Sequence, residues 1–175
     1  MNVRLFFYLL ALCTLFFPWS MSNANAKDQA SNCKTWPTDE AALRNLLGRR
    51  AVEAAYLAAQ SPETSDQLLV TQITADAKFS LGSGDVGRSL GEGTPALREL
   101  ISELHADWYS FDGLDYMSRT VDPCLSHEVT IEFSSRKLSH RAAVKFRFIE
   151  GKIVGGSGWL MSTTSGAFPI AGPSR

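Results

Sequence analysis

Along its C-terminal half the chain alternates apolar and polar residues with a period of two. Leu125, His127, Val129, Ile131 and Phe133 fall on one side of an extended segment, and Ser126, Glu128, Thr130 and Glu132 fall on the other. The pattern predicts a strand over 125–133. A partner over 138–149 places Leu138, His140, Ala142, Val144, Phe146 and Phe148 inward, and a third strand over 152–161 places Ser157, Trp159 and Met161 inward. The turns "SSRK" and "EGK" are short enough for direct antiparallel hairpins. A more irregular strand is predicted over 111–118.

The N-terminal half follows the helical period instead. Leu97, Leu100, Ile101, Leu104 and Trp108 recur at i, i+3, i+4, i+7 and i+11, predicting a helix from Pro95 to Trp108 capped by Thr94. A longer helix starts after Thr38 and reaches Gln60. It carries two apolar stripes, Leu43-Leu46-Leu47 and Val52-Ala55-Tyr56-Ala59, so a bend or break is expected at Gly48. Ser61 and Pro62 open another short helix.

Between the helices, "AKFSLGSGDVGRSLGEGTP" holds Gly82, Gly84 and Gly87 in the spacing G-x-G-x-x-G. A dinucleotide site needs the last glycine to open a helix whose N-terminus faces pyrophosphate. Here Gly91, Gly93 and Pro95 follow, and no acidic strand end comes about 20 residues later. The segment therefore reads as a hairpin joining 77–81 to 86–90.

The first 26 residues combine a basic start, the apolar run "LFFYLLALCTLFFPW" and small residues at Ala24 and Ala26, the pattern of a signal peptide cleaved after Ala26. Cys13 lies inside that run behind the bulky Leu12, which argues against lipid attachment there. Residues 27–37 read as a polar leader, 38–162 as one domain and 163–175 as a flexible Gly/Pro-rich tail. With 17 Lys and Arg against 18 Asp and Glu, and no long basic run, the chain lacks the concentrated positive face that nucleic acid requires. No stable membrane anchor is expected after cleavage. Of the cysteines outside the signal segment, Cys33 and Cys124 have neither redox nor zinc spacing, and in an oxidising compartment they are expected to form one disulfide.

This order of helices, short hairpin, helix and meander resembles the nuclear transport factor 2-like superfamily, in particular its SnoaL-like members. The resemblance spans about Ala41 to Ser162 and is carried by "TADAKFSLG", "GRSLGEGTPALRELI" and "VKFRFIEGKIVGGSGW". It implies an α+β fold in which a cone-shaped, curved antiparallel sheet wraps a long N-terminal helix around an apolar pocket. Such a fold hosts isomerases, dehydratases, hydrolases, cyclases and binding modules alike, so it does not name the function. The acids of ketosteroid-isomerase-like members fall near Leu81 and Val144 here, and only their helix tyrosine has a counterpart, Tyr56.

The pocket candidates are Tyr56, Tyr116, His127, His140, Ser157 and Trp159. With "SSRK" as the tightest turn, His140 lies opposite Ile131 and His127 opposite Val144. The two rings are then about four residue pairs, or roughly 13 Å, apart and cannot share a metal. The expectation is an exported protein that binds a small apolar molecule in its cone, with no catalytic set identifiable and no cofactor or metal. The alternatives are a lyase, isomerase or hydrolase using a pocket histidine, with an acid from the Asp112 to Asp115 segment, and a periplasmic assembly subunit whose outer sheet face forms a homodimer.

Overall fold

The computed structural model describes residues 33–83, 85–111 and 119–162. After a 3-10 turn over Cys33–Thr35 come α1 (Glu40–Ala58), α2 (Pro62–Gln72), β1 (Ile73–Ser83), β2 (Val86–Glu92), α3 (Gly93–Leu104), β3 (Trp108–Phe111), β4 (His127–Ser135), β5 (His140–Ile149) and β6 (Lys152–Ser162). The six strands form one curved, unclosed sheet in the order β2-β1-β6-β5-β4-β3. It is mixed rather than antiparallel throughout, because β6 runs parallel to β1 while every other pair is antiparallel.

Helix α1 is continuous through Gly48, where a bend or break is expected from the two stripes. Its N-cap is Asp39, whose side chain accepts a hydrogen bond from the Ala42 amide at 2.9 Å, one residue beyond the expected Thr38. Leu43, Leu47, Ala51, Ala54 and Ala58 form the stripe that enters the core. Helix α3 ends earlier than its periodicity predicts. His105 takes a left-handed conformation after Leu104, so Trp108 opens a strand instead of closing the helix. The hairpin of β1 and β2 closes at Ser83 and Val86; Gly84, in its tip, lies outside the described residues. So do the segment 112–118 and the tail 163–175.

Two features of the meander differ from strict alternation. The loop between β4 and β5 is Arg136 to Ser139, and Ser135 pairs with His140. That register is four residues away from the one "SSRK" predicts. A shift by an even number keeps each side chain on its face but changes its neighbour: His127 pairs with Phe148, and the two histidines stand eight pairs apart, about 26 Å along the strands.

In β6, Ile153 pairs with Phe148 but Gly155 pairs with Arg147, leaving Val154 as an extra residue. The bulge reverses the parity of everything after it. Gly156, Gly158 and Leu160 face the concave side, opposite Phe146, Val144 and Ala142, and Ser157, Trp159 and Met161 face outward. The inward placement of those three, expected from uninterrupted alternation, is corrected by this one inserted residue. Gly158 is required by packing, since a Cβ there would stand 2.8 Å from Leu81 Cδ1 and 3.1 Å from Leu100 Cδ1.

The ends of the domain are tied by specific groups. Cys33 and Cys124 are disulfide-bonded, closing a separation of 91 residues, and the adjacent Trp36 lies between the Arg50 guanidinium, 4.9 Å from its ring centroid, and the Glu150-Gly151 turn. Both turn residues have positive φ, which is the two-residue hairpin geometry that "EGK" predicts. Arg98 on α3 donates to the Ala58 and Gln60 carbonyls at the end of α1, to Ser65 Oγ at 2.7 Å and to Asp66 Oδ1 at 2.6 Å on α2. One guanidinium thus satisfies the carbonyl end of α1 and fixes α2 beside it.

Glu40, buried at the start of α1, bonds Arg119 and Arg44. Hydrogen bonding to Arg119 first, and to Arg44 in addition, holds its carboxyl below the usual glutamate range against the opposing effect of burial.

Reduction of Cys33–Cys124, or Cys33→Ser with Cys124→Ser, lowers stability by about 2–4 kcal/mol in chemical denaturation, within the roughly 4.7 kcal/mol chain-entropy value for a loop of this size. An unchanged denaturation midpoint after verified reduction contradicts this. Glu40 has a folded pKa below its unfolded one, so its contribution is present above the ordinary glutamate pKa and is lost as pH falls through the lower, folded value. Glu40→Gln therefore shows a smaller loss of melting temperature on acidification from pH 6 to pH 3 than the parent chain; equal slopes would remove the assignment.

Candidate functional site

The second apolar stripe of α1, buried at Ala55 and only partly buried at Val52, forms the wall of a groove. Arg49, Val52, Glu53, Tyr56 and Ala59 recur along one side of the helix, and Ala55 lies beneath them. The opposite wall is built by Ile101 and Leu104 of α3, by Ala106 and Asp107 after it, and by Trp108, Tyr109 and Phe133 of β3 and β4. The enclosed volume is about 470 Å³, the scale of a small organic ligand.

Its lining is mostly apolar and aromatic, yet it is open to solvent. Tyr56 is 67 % exposed, Trp108 61 % and Tyr109 47 %, a concentration of exposed rings that burial in the core does not explain. The charged groups are Arg49, Glu53 and Asp107. Arg49 Nε donates to the Asn45 carbonyl at 3.3 Å. Asp107 accepts from the Arg136 amide and Nε at 3.4 and 3.5 Å, while its own amide donates to the Ser134 carbonyl, so the α3–β3 connection is fastened to the β4–β5 turn. Behind the groove wall, burial lowers the pKa of the Arg50 guanidinium, with Glu53 acting in the opposite sense.

The candidate residues are not gathered in one place. Tyr56 lines the groove. His140 stands behind its wall, half-buried, with Nε2 2.7 Å from the Leu104 carbonyl at the end of α3. A carbonyl only accepts, so Nε2 carries the hydrogen in this contact. His127 is at the far end of the β4–β5 ladder, with Nε2 2.7 Å from the Asp122 carbonyl. Ser157 and Trp159 lie on the outer face of the sheet, Trp159 resting on Gly82. Tyr116, Asp112 and Asp115 lie outside the described residues. Among the described residues no three His, Cys, Asp or Glu side chains come together as a metal set, and no helix is long and apolar enough to cross a membrane. Trp108 and Tyr109 are missed in the sequence because the helical period runs smoothly into Trp108; the signal that could have revealed them is His105-Ala106-Asp107, a short polar break before two adjacent rings.

Helices laid against one side of a curved six-stranded sheet, in the order helix, helix, hairpin, helix, meander, make an α+β fold, the arrangement that the resemblance to the nuclear transport factor 2-like superfamily implies. The sequence matches no protein-family model and none of the curated proteins. Among solved structures it is similar to an NTF-2-like protein of unknown function from Silicibacter pomeroyi, at 11 % identity over 67 % of this chain and 96 % of that one, with a TM-score of 0.41. It is also similar to a de novo designed NTF2-fold protein, at 14 % identity over 66 % and 85 % with a TM-score of 0.40. An isomerase candidate from Rhodopseudomonas palustris aligns at 14 % identity over 65 % and 87 %, again with a TM-score of 0.40.

The contact of His140 with the end of α3 is structural in kind. His140→Ala is expected to destabilise the protein by about 1 kcal/mol, the usual worth of such a bond, measured as a lowered urea midpoint with an unchanged slope. An unchanged midpoint would show that the bond contributes nothing.

Proposed function

We propose that this chain is an exported protein that holds a small, largely apolar ligand in the groove between α1, α3 and β3. The observation that carries the reading is the cluster of exposed rings, Tyr56, Trp108 and Tyr109, around an apolar floor of Val52, Ile101, Leu104 and Phe133. Removing such surface from water favours binding by about 25 cal/mol per Å², and stacked rings add to it. Export to the periplasm or the exterior is supported by the signal-like first 26 residues together with the Cys33–Cys124 bond, which persists only in an oxidising compartment. A catalytic reading has less behind it: the two histidines are spent on backbone carbonyls at opposite ends of the β4–β5 hairpin.

A neutral fluorescent probe, N-phenyl-1-naphthylamine, tests the groove. It should bind saturably, raise the melting temperature and quench Trp fluorescence. Tyr56→Ala with Trp108→Ala should weaken it about tenfold, given the worth of two ring contacts. Absence of saturable binding, or equal affinity in the double variant, overturns the proposal. Native mass spectrometry of gently purified protein would show any resident ligand directly.

A further inference from the structure

The outer face of the sheet carries a second site of opposite character. Three adjacent strands bring matched positions side by side across β1, β6 and β5. Lys78, Gly155 and Arg147 form one row, and Ser80, Ser157 and Lys145 form the next. They enclose a cleft of about 230 Å³ whose lining is completed by Gly156 and Glu128.

Glycine at the centre of the first row leaves a gap between two cations. Lys78 and Arg147 flank it from strands two places apart, about 10 Å across at ordinary strand spacing. No side chain can fill the gap, because a Cβ on Gly155 would stand 2.7 Å from the Lys78 carbonyl oxygen. The bulge at Val154 is what turns Gly155 and Ser157 to this face.

The donors of the cleft exceed its acceptors. Lys78 reaches Glu92 only at 3.8 Å and with both side chains largely exposed, and Lys145 pairs with Glu128 at 3.3 Å. Arg147 has no ion pair, and the Ser80 and Ser157 hydroxyls make no hydrogen bond, among the described residues. Three cations and two hydroxyls thus face one carboxylate of the lining. Chain-wide charge balance does not explain this, since the protein as a whole is at −1.

We infer that this cleft binds a tetrahedral oxyanion, a phosphate or sulfate group. A planar carboxylate offers two oxygens and is matched by a single guanidinium fork. A tetrahedral group offers three or four, which suits donors converging from three strands: the Arg147 fork on one side, Lys78 on the other, and Lys145 with the two hydroxyls below. Glu128 makes the site selective, because its carboxylate repels an anion that cannot engage Arg147 and Lys78 together. The group comes either free in solution or as the head of a phosphorylated or sulfated molecule whose remainder extends over the exposed Trp159.

The test is titration of the full chain with inorganic phosphate, inorganic sulfate and acetate at fixed ionic strength, followed by amide chemical shifts. Phosphate or sulfate should produce saturable shifts confined to residues 78–80, 145–147 and 155–157, and acetate should not. A tighter fit of glycerol 3-phosphate than of inorganic phosphate assigns the site to an esterified group, and the reverse assigns it to the free ion. Arg147→Gln should weaken binding at least about tenfold, as loss of a charged hydrogen-bonding group does. Ser157→Glu, on an exposed position that leaves the fold intact, should abolish it. Non-saturable shifts, acetate binding as tightly as phosphate, or full affinity in Arg147→Gln each overturn the inference.

Discussion

The strand β6 is the constraint on which the other elements depend. It lies between β1 and β5, joining the N-terminal hairpin to the C-terminal meander, and it does so with a sequence, "KIVGGSGWLMS", nearly bare of bulk at its centre. The concave side of that bare stretch receives Leu81, Leu100 and Phe79 at van der Waals distance, so α3 presses directly on the sheet. Filling cavities of methyl size is worth on the order of 1 kcal/mol each, and forcing in extra methylenes costs about 1–3. Glycine at 158 is accordingly as much a part of the core as the leucines that cover it. Neighbouring strands supply the bulk that β6 lacks: Phe79, Val144, Phe146 and Phe148 are all fully buried beside it.

The same close approach decides where a cavity can form. A cone with bulky residues on its central strand would hold α3 away and leave space in the middle. Here Leu97, Leu100 and Leu104 occupy that space, and the remaining volume is displaced sideways to the gap between α1 and the short edge strand β3. The groove is therefore open on one side and lined by edge residues. Its rings are solvent-exposed, and its floor is apolar because it is the margin of the main core. This geometry presents shape and apolar surface, with charged groups only at Arg49, Glu53 and Asp107. Two of the charged groups that line it, Arg49 and Asp107, are positioned by contacts with backbone carbonyls.

Much of this was legible in the residue pattern, and what was not has an identifiable cause. Elements with regular periods were placed well: the alternation of Val129, Ile131 and Phe133 and the helical spacing of Leu97 to Leu104 each correspond to a real buried face. The second stripe of α1 was also visible, as a conflict of register at Gly48. It marks a helix whose apolar side runs from the core, through Ala55, to the edge of the groove at Val52 and Tyr56. The structure departs from the pattern where backbone geometry, not hydrophobicity, sets the count. A left-handed residue at His105 ends α3, a four-residue loop with positive φ at Ser139 moves the β4–β5 register, and one extra residue at Val154 inverts β6. Side-chain composition barely registers any of these, since a bulge or an αL residue adds no apolar signal.

The inversion at Val154 explains why the two faces of the sheet differ so sharply in character. Without it, Trp159 and Met161 would enter the concave side opposite Ala142 and His140, and Gly156 and Gly158 would lie bare on the outside. With it, the small residues meet the helix and the aromatic ring covers Gly82 in solvent. Gly155, at the point of reversal, is left between Lys78 and Arg147 with no side chain of its own. One inserted residue therefore produces both a tight core and an unfilled cationic cleft. The apolar groove is lined by α1, α3, β3 and β4 at the margin of the core, whereas the cleft lies on the outer face of the sheet, where Gly155 supplies no side chain.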